Sequence, residues 1–207
     1  MKKIFAVIAV AFAAMWINSC ATSNKATNVN NDKEVVKEAK AYFKEKAREG
    51  FYAIGTGDQY TLFYNYLNAK KAVNPSIEFD AAAVGTERVA SHKAEADVLA
   101  KYAAFIMPTN IKSRAVSEIG EINGETFDTF YSAYETKVRS VVTPSSLRWL
   151  KLSKELNPNS YRYEIYAFED PSAHTKRVNA LLEAAEESGL AQEYAERVSD
   201  WIDAGGE

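Results

Sequence analysis

Apolar and polar positions along this chain fall into blocks whose spacing predicts helices interrupted by a few strands. The first block has no periodicity. Residues 4–17 are uniformly apolar behind Lys2 and Lys3, and Asn18-Ser19-Cys20 follows. Residues 21–32 are polar and aperiodic, the pattern of a flexible tether. Helical spacing starts at residue 33. Over 33–49, Val35, Val36, Ala39, Tyr42, Phe43 and Ala47 mark one face, with Lys and Glu on the other, and Gly50 ends it. The turn-rich crossing 51–57 leads to Asp58, placed to cap a helix over 59–72 that buries Tyr60, Phe63 and Leu67.

After Asn74-Pro75 the period changes. Residues 76–84 alternate and then become all small, which predicts a strand under a closely packed helix. Gly85-Thr86 is the junction, with Thr86 as N-cap. The next helix carries Val89, His92, Ala96, Leu99, Ala103 and Ile106 at spacings of three and four, and Pro108 interrupts it. Residues 109–119 fit a resumed helix or a short strand. Asn123-Gly124 is a turn signal. A helix over 125–142 aligns Phe127, Phe130, Tyr131, Tyr134, Val138 and Val141, and Pro144 stops it.

Residues 147–153 and 161–168 read as strands joined through Asn157-Pro158-Asn159 into an antiparallel hairpin. Tyr161, Tyr163 and Ile165 point to one side, and Arg162, Glu164 and Tyr166 to the other. Asp170-Pro171 opens a helix over 171–188 that buries Val178, Leu181, Leu182 and Ala185 and closes at Gly189. A last helix over 190–202 offers Leu190, Tyr194, Val198 and Trp201, and the tail beyond it frays. These elements predict an α+β fold. A small, mainly antiparallel sheet has helices packed on one face, with a helical pair before it and helices after it. The divisions are 1–19, 20–32 and a single α+β domain over 33–207.

The leading block defines the compartment. The apolar run is shorter than the roughly 20 residues a spanning helix needs. It fits the h-region of a secretory signal, about 7–15 residues long. Cys20 is the only cysteine, so no intramolecular disulfide exists. Ile17-Asn18-Ser19-Cys20 reads as a lipobox, with cleavage before Cys20 and lipidation of its thiol. Two acyl chains hold a soluble domain on a membrane stably. No acidic run follows Cys20, which favours the periplasmic side of an outer membrane. The formal net charge is −3 and becomes more negative on loss of Lys2 and Lys3. That argues against nucleic acid as a partner. Aromatics make up 12% of residues, enough for a sizeable core.

The block 76–168 has a further pattern. Ala82-Ala83-Val84-Gly85 runs into Ala94, Ala96, Leu99 and Ala100, and Tyr161-Arg162-Tyr163-Glu164-Ile165-Tyr166 ends the sheet. Ala47-Arg48-Glu49-Gly50-Phe51 with Gln59 leads in. Over about half of the chain this order resembles the Lpp-twenty type of small outer-membrane lipoproteins. The resemblance implies an α+β envelope domain and carries over no active site.

The chemistry-bearing residues point the same way. His92, on the apolar stripe, reads as a partly buried core histidine with no second metal ligand at usable spacing. His174, in a first helical turn, reads as a surface residue. Ser145 and Ser146 lack a nucleophile elbow and suit a loop or cap. Gly55-Thr56-Gly57-Asp58 lacks the Lys-Ser/Thr ending of a phosphate loop. Glu118, Glu121 and Glu125, and Glu183, Glu186 and Glu187, read as solvated faces. The tyrosines Tyr60, Tyr64, Tyr66, Tyr161, Tyr163 and Tyr166 could form an aromatic platform or be divided between core and edge. The expectation is a lipid-anchored, non-enzymatic interaction or structural module that uses no cofactor and meets an envelope protein or cell-wall component. The alternatives are a ligand-binding module with an apolar groove between the Ala-rich helix and the sheet, and an envelope enzyme.

Overall fold

A four-stranded antiparallel sheet in the order β1-β3-β4-β2 organises the molecule. In the computed structural model, residues 28–107 and 124–205 are described. They form α1 (Asn28–Arg48), β1 (Tyr52–Ala53), α2 (Gln59–Val73), β2 (Phe79–Gly85) and α3 (Glu87–Ile106). After residue 123 come α4 (Gly124–Val138), β3 (Leu147–Asn157), β4 (Ser160–Glu169), α5 (Pro171–Ser188) and α6 (Gln192–Asp203). The leader, Cys20, residues 21–27, Pro108, the uncertain stretch 109–119, Glu118 and Glu121 lie outside the described residues. Helix α1 starts at Asn28, so positions 28–32, read as tether, are helical.

The α+β class with a small antiparallel sheet is as expected. The N-terminal pair is more than an appendage, because α1 and α2 cover the second face of the sheet. Their core joins Val35, Ala39, Phe63 and Leu67 to Leu150, Leu152 and Phe168. The first face carries the larger core, in which α3 and the C-terminal helices meet Phe79, Ala81, Ala83, Tyr163 and Ile165. The side-chain alternation on β4 is the predicted one. With helices on both sides, both sets of its side chains are covered apart from the exposed Arg162.

Local signals explain the element ends. Asp58 accepts from the Thr61 N–H at 3.0 Å, and Asp170 from the Ser172 N–H at 2.9 Å. Each satisfies a first-turn donor that the helix leaves free. Gly50 and Gly189 take positive φ after α1 and α5, where a side chain would be strained. Thr86 has the extended backbone of an N-cap but makes no side-chain capping bond. Met107 is extended, as the residue before a proline prefers. The crossing at 51–57 contains β1, a two-residue edge strand too short for any period to announce it.

Helix α4 buries all six residues of the predicted stripe, with Val141 in the short 3-10 turn that follows. Helix α3 differs. Its sheet-facing residues are Ala90, Ala94, Val98, Tyr102 and Ile106, while Val89, His92 and Ala96 are exposed. The predicted stripe was rotated by about one residue. Alanines lie on both sides of α3, so apolarity alone could not choose between them. The observed row recurs every four residues, a continuous ridge that seats between strands β2 and β4. His92 is therefore a surface residue, not a core one.

Candidate functional site

One end of the sheet opens into a cleft of about 780 Å³. The C-terminus of α2 and the following loop supply Val73, Pro75 and Ile77; β2 and α3 supply Phe79 and Phe105. These make the apolar walls. Glu169 at the end of β4, His174 in α5 and Asp203 at the end of α6 make the polar end. The consecutive elements β4 and α5 and the more distant end of α6 thus bring their ionisable groups to one place.

Arg177 holds them there. It lies one turn after His174 on α5, on the same stripe as Ala173, Ala180, Leu181 and Ala184, and is fully buried. Its Nε donates to Glu169 Oε1 at 3.1 Å and its Nη2 to Glu169 Oε2 at 3.2 Å. The same Nη2 donates to Asp203 Oδ1. Tyr102 of α3 donates its hydroxyl to Glu169 Oε1 at 2.8 Å. His174 Nε2 lies 3.1 Å from Asp203 Oδ2. The chain Tyr102–Glu169–Arg177–Asp203–His174 ties α3, β4, α5 and α6 together beside the cleft.

The charge states follow from this packing. Burial works against the Arg177 cation, but Glu169 and then Asp203 outweigh it and hold the guanidinium protonated. Burial also disfavours the Asp203 anion, yet His174 and Arg177 keep its carboxyl below the ordinary aspartate range. The hydrogen bond that His174 donates to Asp203 raises it above the usual histidine value, with burial opposing. Burial and Glu169 push the Tyr102 hydroxyl far up, so it stays a neutral donor. Thr175 Oγ1 turns back to its own helix and donates to Pro171 O at 3.0 Å. Among the described residues, no group of three His, Cys, Asp or Glu is placed to hold a metal ion.

The other predicted residues disperse. Ser145 and Ser146 lie in the turn before β3, both within 2.9 Å of Thr143 Oγ1. Gly55-Thr56-Gly57 is the loop before α2, with Asp58 as its cap. Glu183 and Glu187 are exposed and pair with Lys137 of α4. A smaller hollow of about 410 Å³ beside Leu190 has Glu183 and Glu186 on its rim. Tyr60, Tyr64, Tyr66 and Tyr166 pack with α1 and α2 on one face of the sheet. Tyr161 and Tyr163 pack on the other, so these six make no single platform.

The predicted groove between the Ala-rich helix and the sheet is closed. Ala90, Ala94 and Val98 are fully buried there, because alanine lets the helix backbone approach the strands. Of the cleft's ionisable residues, the sequence singles out only His174. Arg177 carried a signal that could have been used, a charged side chain at a core-facing position of α5. Comparison of the chain with protein-family models, with curated proteins and with solved structures finds no match.

Proposed function

We propose that this protein is a bacterial outer-membrane lipoprotein, anchored through Cys20 and facing the periplasm, whose α+β domain is a non-enzymatic interaction module. The observation that carries the anchor is the leader. A basic start, an apolar run of signal-peptide length and a small residue precede the chain's only cysteine. No described helix is long and apolar enough to cross a membrane, so an anchor of this kind would supply the attachment. The likeness of the 76–168 block to Lpp-twenty-type lipoproteins supports the same reading.

Binding rather than turnover is favoured by the cleft. Its carboxylates are committed to Arg177, and its histidine to Asp203. An apolar-walled cleft with a few convergent polar groups suits a small ligand or a protruding side chain of an envelope partner.

Intact mass of the membrane-extracted protein, wild type beside Cys20→Ala, tests the anchor. The expected result is a diacyl or triacyl mass that the variant loses. An unmodified, soluble wild-type chain would contradict it.

A further inference from the structure

The polar end of the cleft does not balance its own charge. Glu169 and Asp203 contribute two carboxylates, and Arg177 one cation. His174 adds a second cation only when protonated. Asp170, next along the chain, does not enter this count, because Arg148 pairs with it at 2.7 Å and it caps α5. Tyr102 faces Glu169 as a neutral hydroxyl. With His174 neutral, one negative charge is left over beside an apolar cavity.

That excess identifies what the cleft should accept. An anion would meet two carboxylates. A metal ion lacks a converging set of ligands among the described residues. Glu169 Oε2 takes one donor, from Arg177 at 3.2 Å, and a carboxylate oxygen has room for a second. Phe79, Phe105 and Ile77 offer apolar area beside it. The volume, about 780 Å³, lies within the roughly 300–1,000 Å³ common for small-molecule sites. We propose that the cleft binds a small organic ammonium ion, its charged head at Glu169 and Asp203 and its apolar body against Phe79, Phe105 and Ile77. The proposal rests on reading the cleft as a binding site and is independent of the lipid on Cys20.

The proton on His174 and the ammonium ion compensate the same charge, so they compete. Ligand affinity rises with pH until His174 is neutral and then levels off. Below that midpoint it weakens by up to about tenfold per pH unit. The groups facing His174 are Asp203 from α6, Arg177 from its own helix and Glu169 from β4.

The test titrates the full chain in a nonionic detergent with 2-phenylethylamine, 2-phenylethanol and 3-phenylpropanoate. NMR signals of Ile77 and Thr175 report the cleft. Saturable shifts are expected with the amine, about tenfold weaker binding or none with the alcohol, and none with the acid. Asp203→Asn removes the excess charge at a half-exposed position and should abolish the preference for the amine. Ser76→Trp, at the exposed rim, should obstruct entry without touching the ion cluster. Three results would overturn the proposal: equal binding of amine and alcohol, saturable binding of the acid, or no saturable binding at all. A preference that survives Asp203→Asn would do the same. Failure of the anchor shows in the mass measurement instead, so the two readings fail separately.

Discussion

Each face of the sheet encloses an ion cluster, and the two are built differently. On the α1–α2 side, Lys46 donates to Glu164 at 2.8 Å, with its ammonium 5.2 Å from the centre of the Phe51 ring and 5.9 Å from that of Tyr166. Arg162 also pairs with Glu164, and Glu49 with Lys46, so each carboxylate of this cluster has a permanent cation. On the other side, Arg177 alone faces two carboxylates, and a half-exposed histidine supplies the remaining charge. The first cluster is complete in itself and joins a helix to a strand. The second depends on a proton and borders a cleft. A balanced buried pair is explained by packing and specificity; an unbalanced one beside a cavity invites a partner.

The largest way to break this contrast is Arg177→Met. It leaves Glu169 and Asp203 together without their cation, and losing one partner of a buried ion pair costs about 3–5 kcal/mol. Lys46→Met should cost less, about 1–3 kcal/mol, because Glu164 keeps Arg162. Urea unfolding of both variants measures the difference. Equal losses would show that the clusters are energetically alike.

Next in size is the packing of α3. Ala94→Leu forces a larger side chain into the closed helix–sheet seam and should cost about 1–3 kcal/mol. Ala96→Leu, two residues on but exposed, should stay within about 0.5 kcal/mol of wild type. Thermal unfolding of the pair tests which face of α3 meets the sheet, and the reverse ranking would restore the predicted stripe.

The smallest effect is that of pH. The folded-state pKa of His174 is raised above the ordinary 6.5, so its contribution is complete below 6.5 and lost as pH climbs through the higher folded value. Asp203 is lowered from 3.8, so its contribution is present above 3.8 and lost as pH falls through its folded value. The pair therefore supports the fold best between those limits. Both groups are partly exposed, and solvent screens the effect. His174→Gln should flatten the stability profile above pH 6.5 and leave the acid limb in place. Denaturation across pH would show it.

Much of this fold was legible because strong signals agreed. On α4, aromatic side chains at spacings of three and four left no second face to choose. Asp58, Asp170-Pro171 and Gly189 marked helix ends through local hydrogen bonds and backbone freedom, which depend on few neighbours. The misreadings arise where tertiary packing decides. Alanine is apolar enough for either side of α3, so only the sheet beneath it selected Ala90 and Ala94 over Val89 and Ala96. Lys46 and Arg177 belong to residue types that usually face water, and nothing nearby in sequence names Glu164 or Asp203 as the partner that permits burial. The cleft was least legible, because Asp203 and the walls from α2, β2 and α3 reach Glu169 and His174 only through tertiary packing.

In the cleft, a proton on His174 stands in for a missing cation. The imidazole signals of His174, followed by NMR against pH with and without 2-phenylethylamine, test this substitution, since linkage requires each ligand to weaken the other. The predicted result is a midpoint above 6.5 in the free protein that falls as amine is added. A midpoint that amine leaves unmoved, with the amine bound, would contradict it.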